Sequence, residues 1–260
     1  MAAILSKTDE RREDSVAKKG LLTLKQMGYS MPVDAPAYQP PPYYYRSVKA
    51  IAVAYETDSD AALAAIPAPL ELAEPATAIL SFYDYPFTTF GPYLEAIIAL
   101  NVEFKGRPYV YIQQIMVDTE PPMLAGREIW GFPKKLATIG FKAERDMIYG
   151  TLERPTGIRL ASAIVRPERK IKKVAPPMDV ASLRVLPAAE GPKHRPVCAE
   201  IVETITEVTM LNAWEGNGSV AFAEHSTLDP WDRFPVKRII SATHTEYDMY
   251  LPAGRVIAKL

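Results

Sequence analysis

A pair of adjacent lysines in an apolar stretch is the feature of this sequence with the clearest chemical potential. The segment 126–136 reads Gly-Arg-Glu-Ile-Trp-Gly-Phe-Pro-Lys-Lys-Leu, so Lys134 and Lys135 follow an aromatic residue and a proline. An amine kept out of water loses its proton more easily, and a neutral amine can attack the carbon of a ketone. We therefore expect Lys134 to form an imine with a keto acid.

This chemistry requires an uncharged lysine. An ordinary lysine, with a pKa of about 10.4, is neutral in only about one molecule in 2500 at pH 7. If the chain is extended here, Lys135 points to the opposite face, and its charge about 8 Å away contributes only about 2 kcal/mol at an effective dielectric constant of about 20. Burial must therefore supply the larger share, and the nearest apolar candidates are Trp130, Phe132 and Leu136.

The composition is that of an ordinary water-soluble protein of 260 residues, with 48% hydrophobic and 23% charged residues. The net charge of -1 argues against a nucleic-acid partner. The basic run at residues 166–173 is predicted to be a solvated loop. No apolar run reaches the ~18 residues that a membrane span needs, so no membrane association is expected.

The single cysteine, Cys198, excludes an internal disulfide and fits a reducing compartment, so a cytoplasmic protein is expected. The C-terminal Ala258-Lys259-Leu260 is close to a peroxisomal address, which matters only in a eukaryotic source.

Short β-strands are predicted along most of the chain, with few helices. The predicted strands cover residues 48–55, 77–83, 95–104, 108–117, 139–143, 147–153, 159–165, 202–211 and 236–245. A turn at Lys105-Gly106 joins two of them, and one short helix at 59–66 is capped by Asp58 or Ser59 and ended by Pro67. This pattern favours a barrel or a sandwich over a doubly wound α/β fold.

The expected fold is a β-rich α+β class, an antiparallel barrel-like single domain with few short helices. Residues 31–260 form this domain, and residues 1–30 form an N-terminal helical arm or extension.

Other kinds of site find little support. The three histidines (194, 225 and 244) lack the spacing of a zinc site. The segment Glu215-Gly216-Asn217-Gly218 is predicted to be a turn rather than a phosphate-binding loop. No Gly-x-Ser-x-Gly motif is present.

The lysine segment resembles the active-site segment of the acetoacetate decarboxylase family, in which Gly-Arg-Glu is followed by aromatic-Pro-Lys-Lys-Leu. Further segments similar to the family lie before and after it, in the order in which the family has them, over about residues 40–255. They are at 45–46, 66–71, 91–95, 213–216 and 235–244. The lysine segment is the specific one, and the others are short.

The resemblance implies a Schiff-base enzyme with a β-barrel-like fold that forms homo-oligomers and needs no metal or organic cofactor. It implies that Lys134 forms the imine, that Lys135 is its neighbour, and that Glu95 and Arg46 are an active-site acid and arginine. In an ungapped comparison a second family acid falls near Leu80, which is not acidic.

From chemistry, Glu95 is expected to shuttle protons, and Arg46 to hold Glu95 or the substrate carboxylate. Phe132 and Trp130 are expected to wall the pocket. Either Gln113 or Gln114 should face the cavity on its predicted strand, and we assign Gln113 to substrate binding.

Three functions remain open at this point. The first is decarboxylation of acetoacetate or a related 3-oxo acid. The second is Schiff-base aldol cleavage, condensation or dehydration of a 2-oxo acid, which Leu80 in place of an acid favours. The third is a non-catalytic barrel that binds small molecules.

Overall fold

The computed structural model of the chain describes residues 17–172 and 179–260, and its regular elements are mostly β-strands. The strands are β1 (Tyr43–Glu56), β2 (Glu71–Leu72), β3 (Thr77–Tyr85), β4 (Phe87–Thr88), β5 (Tyr93–Phe104), β6 (Arg107–Val117), β7 (Lys134–Leu136), β8 (Thr138–Glu144), β9 (Met147–Glu153), β10 (Arg159–Lys170), β11 (Val180–Leu186), β12 (Cys198–Thr204), β13 (Glu207–Phe222), β14 (Arg238–Leu251) and β15 (Arg255–Lys259).

The helical elements are short. They are α1 (Ser59–Leu63), α2 (Glu120–Ala125), a π-helical turn (Gly126–Trp130) and two 3-10 turns (Leu24–Gln26 and Trp231–Arg233). Asp58 caps α1 as predicted, because its carboxylate accepts from the backbone N–H groups of Asp60 and Ala61. Within the described part of the chain, no helix has the length and apolar character that a membrane crossing requires.

One continuous sheet connects the strands in the order β15-β12-β11-β6-β5-β3-β1-β14-β13-β10-β9-β8, with β2, β4 and β7 paired at its side. All pairs are antiparallel except β6 with β7 and β6 with β11. The mostly β class with few short helices in a single domain is therefore confirmed. A closed barrel is not, because the described sheet ends at β15 and β8, which do not pair with each other.

Strict alternation along the central strands decides which side chains enter the main core. On β5, Ala96, Ile98, Leu100 and Val102 pack into the larger apolar cluster with the matching faces of β1 and β3. The residues between them, from Tyr93 to Ala99, face the other side. The period of two therefore separates a solid core from a second face that is free to form a site.

Three local predictions need correction. Residues 202–211 are not one strand, because β12 ends at Thr204 and β13 begins at Glu207. The expected turn at 215–218 lies inside β13, where an added Cβ at Gly216 would come within 2.0 Å of the Arg166 carbonyl oxygen. These glycines therefore permit close strand pairing instead of turning the chain.

The third correction concerns the basic run at 166–173, which was predicted to be a loop. Up to Lys170 it belongs to strand β10, and most of its polar side chains are exposed to solvent. Residue 173 lies outside the described residues.

Residues 1–16 of the expected N-terminal arm also lie outside the described residues. The rest of the expected arm, residues 17–30, is exposed to solvent except for Ser30. Its regular structure is the 3-10 turn at Leu24–Gln26.

A left-handed glycine turns the chain from the π-helical turn into the lysine segment. Gly131 has φ of +75°, and an added Cβ would lie 2.4 Å from Cα of Arg184 on β11. The Arg184 guanidinium in turn donates to the carbonyl oxygen of Glu128, at 2.8 Å. Both the backbone conformation and the close approach of β11 therefore require glycine here.

We expect Gly131→Ala to destabilise the protein more than Gly106→Ala. Gly106 has nearly the same φ, +74°, in the Lys105-Gly106 turn but has nothing within 4 Å of an added Cβ. The control should lose roughly 1–2 kcal/mol from the left-handed conformation alone. Gly131→Ala should lose about 1–3 kcal/mol more, because β11 must shift. Equal losses in urea unfolding would contradict this account.

Candidate active site

Lys134 is a buried lysine on a short edge strand. Its residue is 5% exposed, and β7 runs parallel to β6, with Lys134 opposite Ile115. The aliphatic stem lies against Gly126, where an added Cβ would come within 2.6 Å of Lys134 Cδ. Arg127 donates from Nη1 to the Lys134 carbonyl oxygen, at 3.1 Å. The conspicuous Gly-Arg pair of the motif thus makes room for the lysine and holds its backbone.

The lysine amine is paired with a buried carboxylate. Lys134 Nζ lies 2.7 Å from Oε2 of Glu95, and Glu95 is 4% exposed. The hydroxyl of Tyr85 donates to the other oxygen, Oε1, at 3.0 Å. Both carboxylate oxygens therefore have a partner, as a buried charge requires.

Tyrosines surround this pair. The hydroxyls of Tyr45 and Tyr93 lie 3.3 Å apart, and Lys134 Nζ lies 5.5 Å from the centre of the Tyr93 ring. Burial raises the pKa of Tyr83 to about 12, against the opposing effect of a hydrogen bond with Ser81, and the negative charge of Glu95 adds to the increase. Burial likewise raises the pKa of Tyr85 and of Tyr93 well above the usual value. These hydroxyls therefore stay protonated at neutral pH and can donate hydrogen bonds.

The pair opens into a cavity of about 400 Å³. Among the described residues that line it, Glu95 and Lys134 carry the charges, and the others are apolar or bear hydroxyl groups. Phe132 is one of the walls, as expected, and its ring centre lies 5.9 Å from Lys134 Nζ. An amine, a carboxylate and hydroxyl donors in an apolar cavity are the groups that imine chemistry uses.

Lys135 takes a different direction. Its Nζ binds Asp229 Oδ1 at 2.6 Å and the Leu228 carbonyl oxygen at 2.7 Å, and Arg154 pairs with the second oxygen of Asp229 at 2.9 Å. The two lysines therefore point away from each other, as expected for an extended segment. Because the charge of Lys135 is paired with Asp229, it adds little positive potential at Lys134.

Arg46 does not reach the cavity. Its side chain is 57% exposed, and its guanidinium pairs with Asp248 at 3.2 Å. The pairing of β1 with β14 is irregular between Tyr45 and Val48, so Tyr45 faces the cavity while Arg46 faces solvent. The expected contact of Arg46 with Glu95 is therefore absent from the described structure. Besides Lys134, the side chain that binds Glu95 is Tyr85.

Two more expected wall residues lie elsewhere. Trp130 sits behind Phe132, with their rings stacked 5.6 Å apart, and its Nε1 donates to the Pro252 carbonyl oxygen. Gln113 falls at an irregularity between β5 and β6, and it is not part of the cavity lining. This irregularity is a β-bulge at Gln113. It interrupts the alternation of side chains along β6 from which a cavity-facing glutamine was predicted.

Leu80 also proves to be the wrong position for a second acid. It is fully buried in the main core, and its neighbours Ile79 and Ser81 face the cavity. Adjacent strand residues point to opposite faces, so a comparison without gaps cannot decide between Leu80 and its cavity-facing neighbours.

Sequence reasoning missed the tyrosines of the site, although a signal was present. Tyr43 and Tyr45, Tyr83 and Tyr85, and Tyr93 and Glu95 each stand two residues apart. In strands, such pairs share one face. Polar aromatic residues on the face that carries a candidate acid would have indicated a hydroxyl-lined cavity.

We expect the buried pair to show strong energetic coupling. Lys134→Met or Glu95→Gln alone leaves a buried charge without its partner and should cost about 3–5 kcal/mol, while the double variant should cost clearly less than the sum. The exposed pair Lys142–Glu144, at 2.6 Å, is the control, and Lys142→Met with Glu144→Gln should show much weaker coupling than the buried pair, because solvent screens exposed charges. Denaturant unfolding of both cycles measures this, and equal coupling would contradict the burial argument.

Over residues 17–172 and 179–260, no group of three or more His, Cys, Asp or Glu side chains is arranged to bind a metal.

Comparison with known proteins indicates the family of this chain. The family model described as acetoacetate decarboxylase (ADC) matches residues 30–260. Acetoacetate decarboxylase of Ralstonia nicotianae is 32% identical over 240 residues, which cover 90% of this chain and 96% of that protein. A crystal structure of acetoacetate decarboxylase from Legionella pneumophila has a TM-score of 0.81 at 30% identity, covering 94% of this chain and 99% of that one.

A more distant structure shares the fold. The enduracididine biosynthesis enzyme MppR, complexed with the condensation product of pyruvate and imidazole 4-carboxaldehyde, has a TM-score of 0.76 at 23% identity, and the match covers 90% of this chain and 97% of that one. The likeness to MppR concerns the fold alone. On the family match and the curated relatives, the chain belongs to the acetoacetate decarboxylase family.

Proposed function

We propose that this protein decarboxylates acetoacetate or a related 3-oxo acid through an imine on Lys134. The observation that carries the proposal is the buried contact of 2.7 Å between Lys134 Nζ and Glu95 in a cavity whose other described lining residues are uncharged. The family relationship supports a decarboxylase-like enzyme.

The contact gives the amine a way to lose its charge. Transfer of one proton from the Lys134 ammonium to Glu95 converts the ion pair into a neutral amine and a neutral carboxylic acid. An apolar surrounding favours this neutral form relative to water. The free amine then adds to the keto carbon, and Glu95 returns the proton to the oxygen that leaves as water.

The remaining steps use charge neutralisation. Loss of water leaves a protonated imine whose carbon is bonded directly to the carbon that bears the carboxylate. The carbon–carbon bond breaks, its electron pair flows into the imine, and carbon dioxide and a neutral enamine form. Opposite charges disappear together in this step, so a cavity of low polarity favours it. Protonation of the enamine carbon and hydrolysis then release the ketone.

Tyr85 has a supporting part in this scheme. Its hydroxyl donates to Glu95 Oε1, which leaves Oε2 turned toward Lys134. The imine itself accepts the electrons, so the proposed reaction requires no metal or organic cofactor. A homo-oligomeric, cytoplasmic enzyme with a small keto acid as its partner completes the proposal, on the strength of the family likeness.

The first test measures carbon dioxide and acetone from acetoacetate. Lys134→Ala should lower kcat at least about 1000-fold, because the covalent nucleophile is gone, while Lys142→Ala on the surface should stay within about twofold of the parent protein. Borohydride added with acetoacetate should fix a mass increase on the peptide that carries Lys134. Labelling of another lysine, or full activity of Lys134→Ala, would refute the mechanism.

A Schiff-base reaction of a 2-oxo acid, such as condensation with an aldehyde, is the second candidate. Among the described residues that line the cavity, Glu95 is the one carboxylate, although a second acid was expected from the family. The cavity also has space for two small reactants. MppR, whose structure holds a condensation product of pyruvate, has the same fold.

Pyruvate separates the two candidates. If condensation is the reaction, borohydride should trap pyruvate on Lys134 faster than acetoacetate, and addition of an aldehyde should consume pyruvate without release of carbon dioxide. If decarboxylation is the reaction, acetoacetate should yield carbon dioxide with many turnovers, and pyruvate should be trapped slowly or not at all. Lys134→Ala serves as the blank in both reactions.

A further inference from the structure

The cavity continues well beyond the reactive pair. On β5, the residues Glu95, Ile97 and Ala99 all line it. The four residue steps from Glu95 to Ala99 span about 13 Å along the strand. The neighbouring strand β3 places Tyr83 opposite Glu95 and Ile79 opposite Ala99. The cavity is thus elongated along the strands, with the lysine–glutamate pair near one end.

The two ends differ in chemistry. Near the pair, the walls include the hydroxyl-bearing rings of Tyr45, Tyr85 and Tyr93 beside the apolar Phe132. Toward the other end, beyond the hydroxyls of Ser81 and Thr243, Ile79, Ala99 and Ile112 form an apolar section.

Small residues widen the section beyond the pair. Ala50 and Ala52 on β1 line the cavity opposite Tyr83 and Ser81 of β3. Because an alanine side chain is a single methyl group, the β1 wall leaves the space beyond the pair open.

Acetoacetate does not need this volume. It has seven non-hydrogen atoms, and even at the ~30 Å³ that each water molecule takes in the liquid these occupy about 200 Å³. The cavity measures about 400 Å³, within the range of about 300–1,000 Å³ that is typical of sites for larger organic ligands. About half of the space therefore stays without a function if acetoacetate is the substrate.

We propose that the apolar section is a subsite for the acyl chain of a medium-chain 3-oxo acid of about six to ten carbons. The inference rests on the proposed decarboxylation and names its substrate class. The keto carbon lies at Lys134 Nζ, and the hydrocarbon chain extends between Ile79, Ala99 and Ala52. The carboxylate lies at the tyrosine end, where hydroxyl groups donate to it, so the charge stays out of the apolar section.

The reaction balances in the same way for a longer chain. The bond between the carboxylate carbon and C2 breaks, the electron pair passes to the imine nitrogen, and C2 takes a proton. The products are carbon dioxide and a methyl ketone one carbon shorter than the acid. With 3-oxooctanoate, the ketone is 2-heptanone.

The chain-length profile of the unmodified protein tests the subsite without any substitution. Acetoacetate, 3-oxohexanoate and 3-oxooctanoate are compared by carbon dioxide release and ketone formation, with Lys134→Ala as the blank for spontaneous decay. Each buried methylene favours binding by about fourfold, so four additional methylenes set an upper limit of about 250-fold. We expect kcat/KM for 3-oxooctanoate to exceed that for acetoacetate at least tenfold, chiefly through a lower KM.

A matched pair of variants locates the effect. Ala52 lines the cavity, whereas Ala221 on β13 is exposed, lies opposite Ser162 of β10 and is not part of the lining. Ala52→Leu should reduce the kcat/KM ratio of 3-oxooctanoate to acetoacetate at least tenfold, because its side chain fills the chain subsite. Ala221→Leu should leave that ratio unchanged, and circular dichroism should show that both variants are folded.

Three results would overturn the inference, and they are distinguishable. If acetoacetate is decarboxylated as well as or better than 3-oxooctanoate, the chain subsite is wrong while the proposed function stands. If both leucine variants change the ratio equally, the effect does not arise from the cavity at Ala52. If the unmodified protein decarboxylates no 3-oxo acid of any length, the proposed function fails together with the subsite.

Discussion

The buried ion pair between Lys134 and Glu95 is the interaction on which the rest of this structure depends. Moving an ammonium and a carboxylate out of water costs several kcal/mol for each, and only a close, fully hydrogen-bonded geometry offsets that cost. The contact of 2.7 Å and the hydroxyl of Tyr85 on the second carboxylate oxygen meet this requirement. In the proposed mechanism the same burial makes the pair reactive, because a single proton transfer within it removes both charges.

The backbone around the lysine is arranged to hold this geometry. Gly126 leaves space for the side chain, Arg127 binds the Lys134 carbonyl oxygen, and Gly131 turns the chain against β11. Lys135 anchors the opposite face of the same short strand through Asp229. With one lysine held on each face, β7 resists rotation about its axis, and the position of the Lys134 nitrogen is well defined.

The second physical constraint is the alternation of side chains across one sheet. Even-numbered residues of β5 fill the main core, and odd-numbered residues from Tyr93 to Ala99 face the cavity. A single strand therefore supplies both a rigid packed layer and the walls of a site, with the acid at position 95 between an aromatic and an apolar neighbour. The change from hydroxyl-bearing to apolar walls along this face gives the cavity two chemically different ends.

The sequence by itself determined the local features of this protein. The lysine motif and the order of the segments before and after it indicated Lys134 and Glu95. Aromatic and β-branched residues between turn signals placed most of the predicted strands within a few residues of observed ones. The family resemblance indicated a decarboxylase-like enzyme, which the family match supports. These features follow from residues that are close in the chain or from motifs that stay together, which is why they were predictable.

Only the tertiary structure decided which side chains meet. Tyr85 binds Glu95, Asp229 binds Lys135, and Arg46 turns away to Asp248, and each outcome depends on strand register and on bulges. A shift of one residue moves a side chain to the opposite face of a strand, so Leu80 and Gln113 could not be placed from position alone. Lys135 and Asp229 lie 94 residues apart in the chain, and contacts of such separation are set by packing rather than by any local pattern.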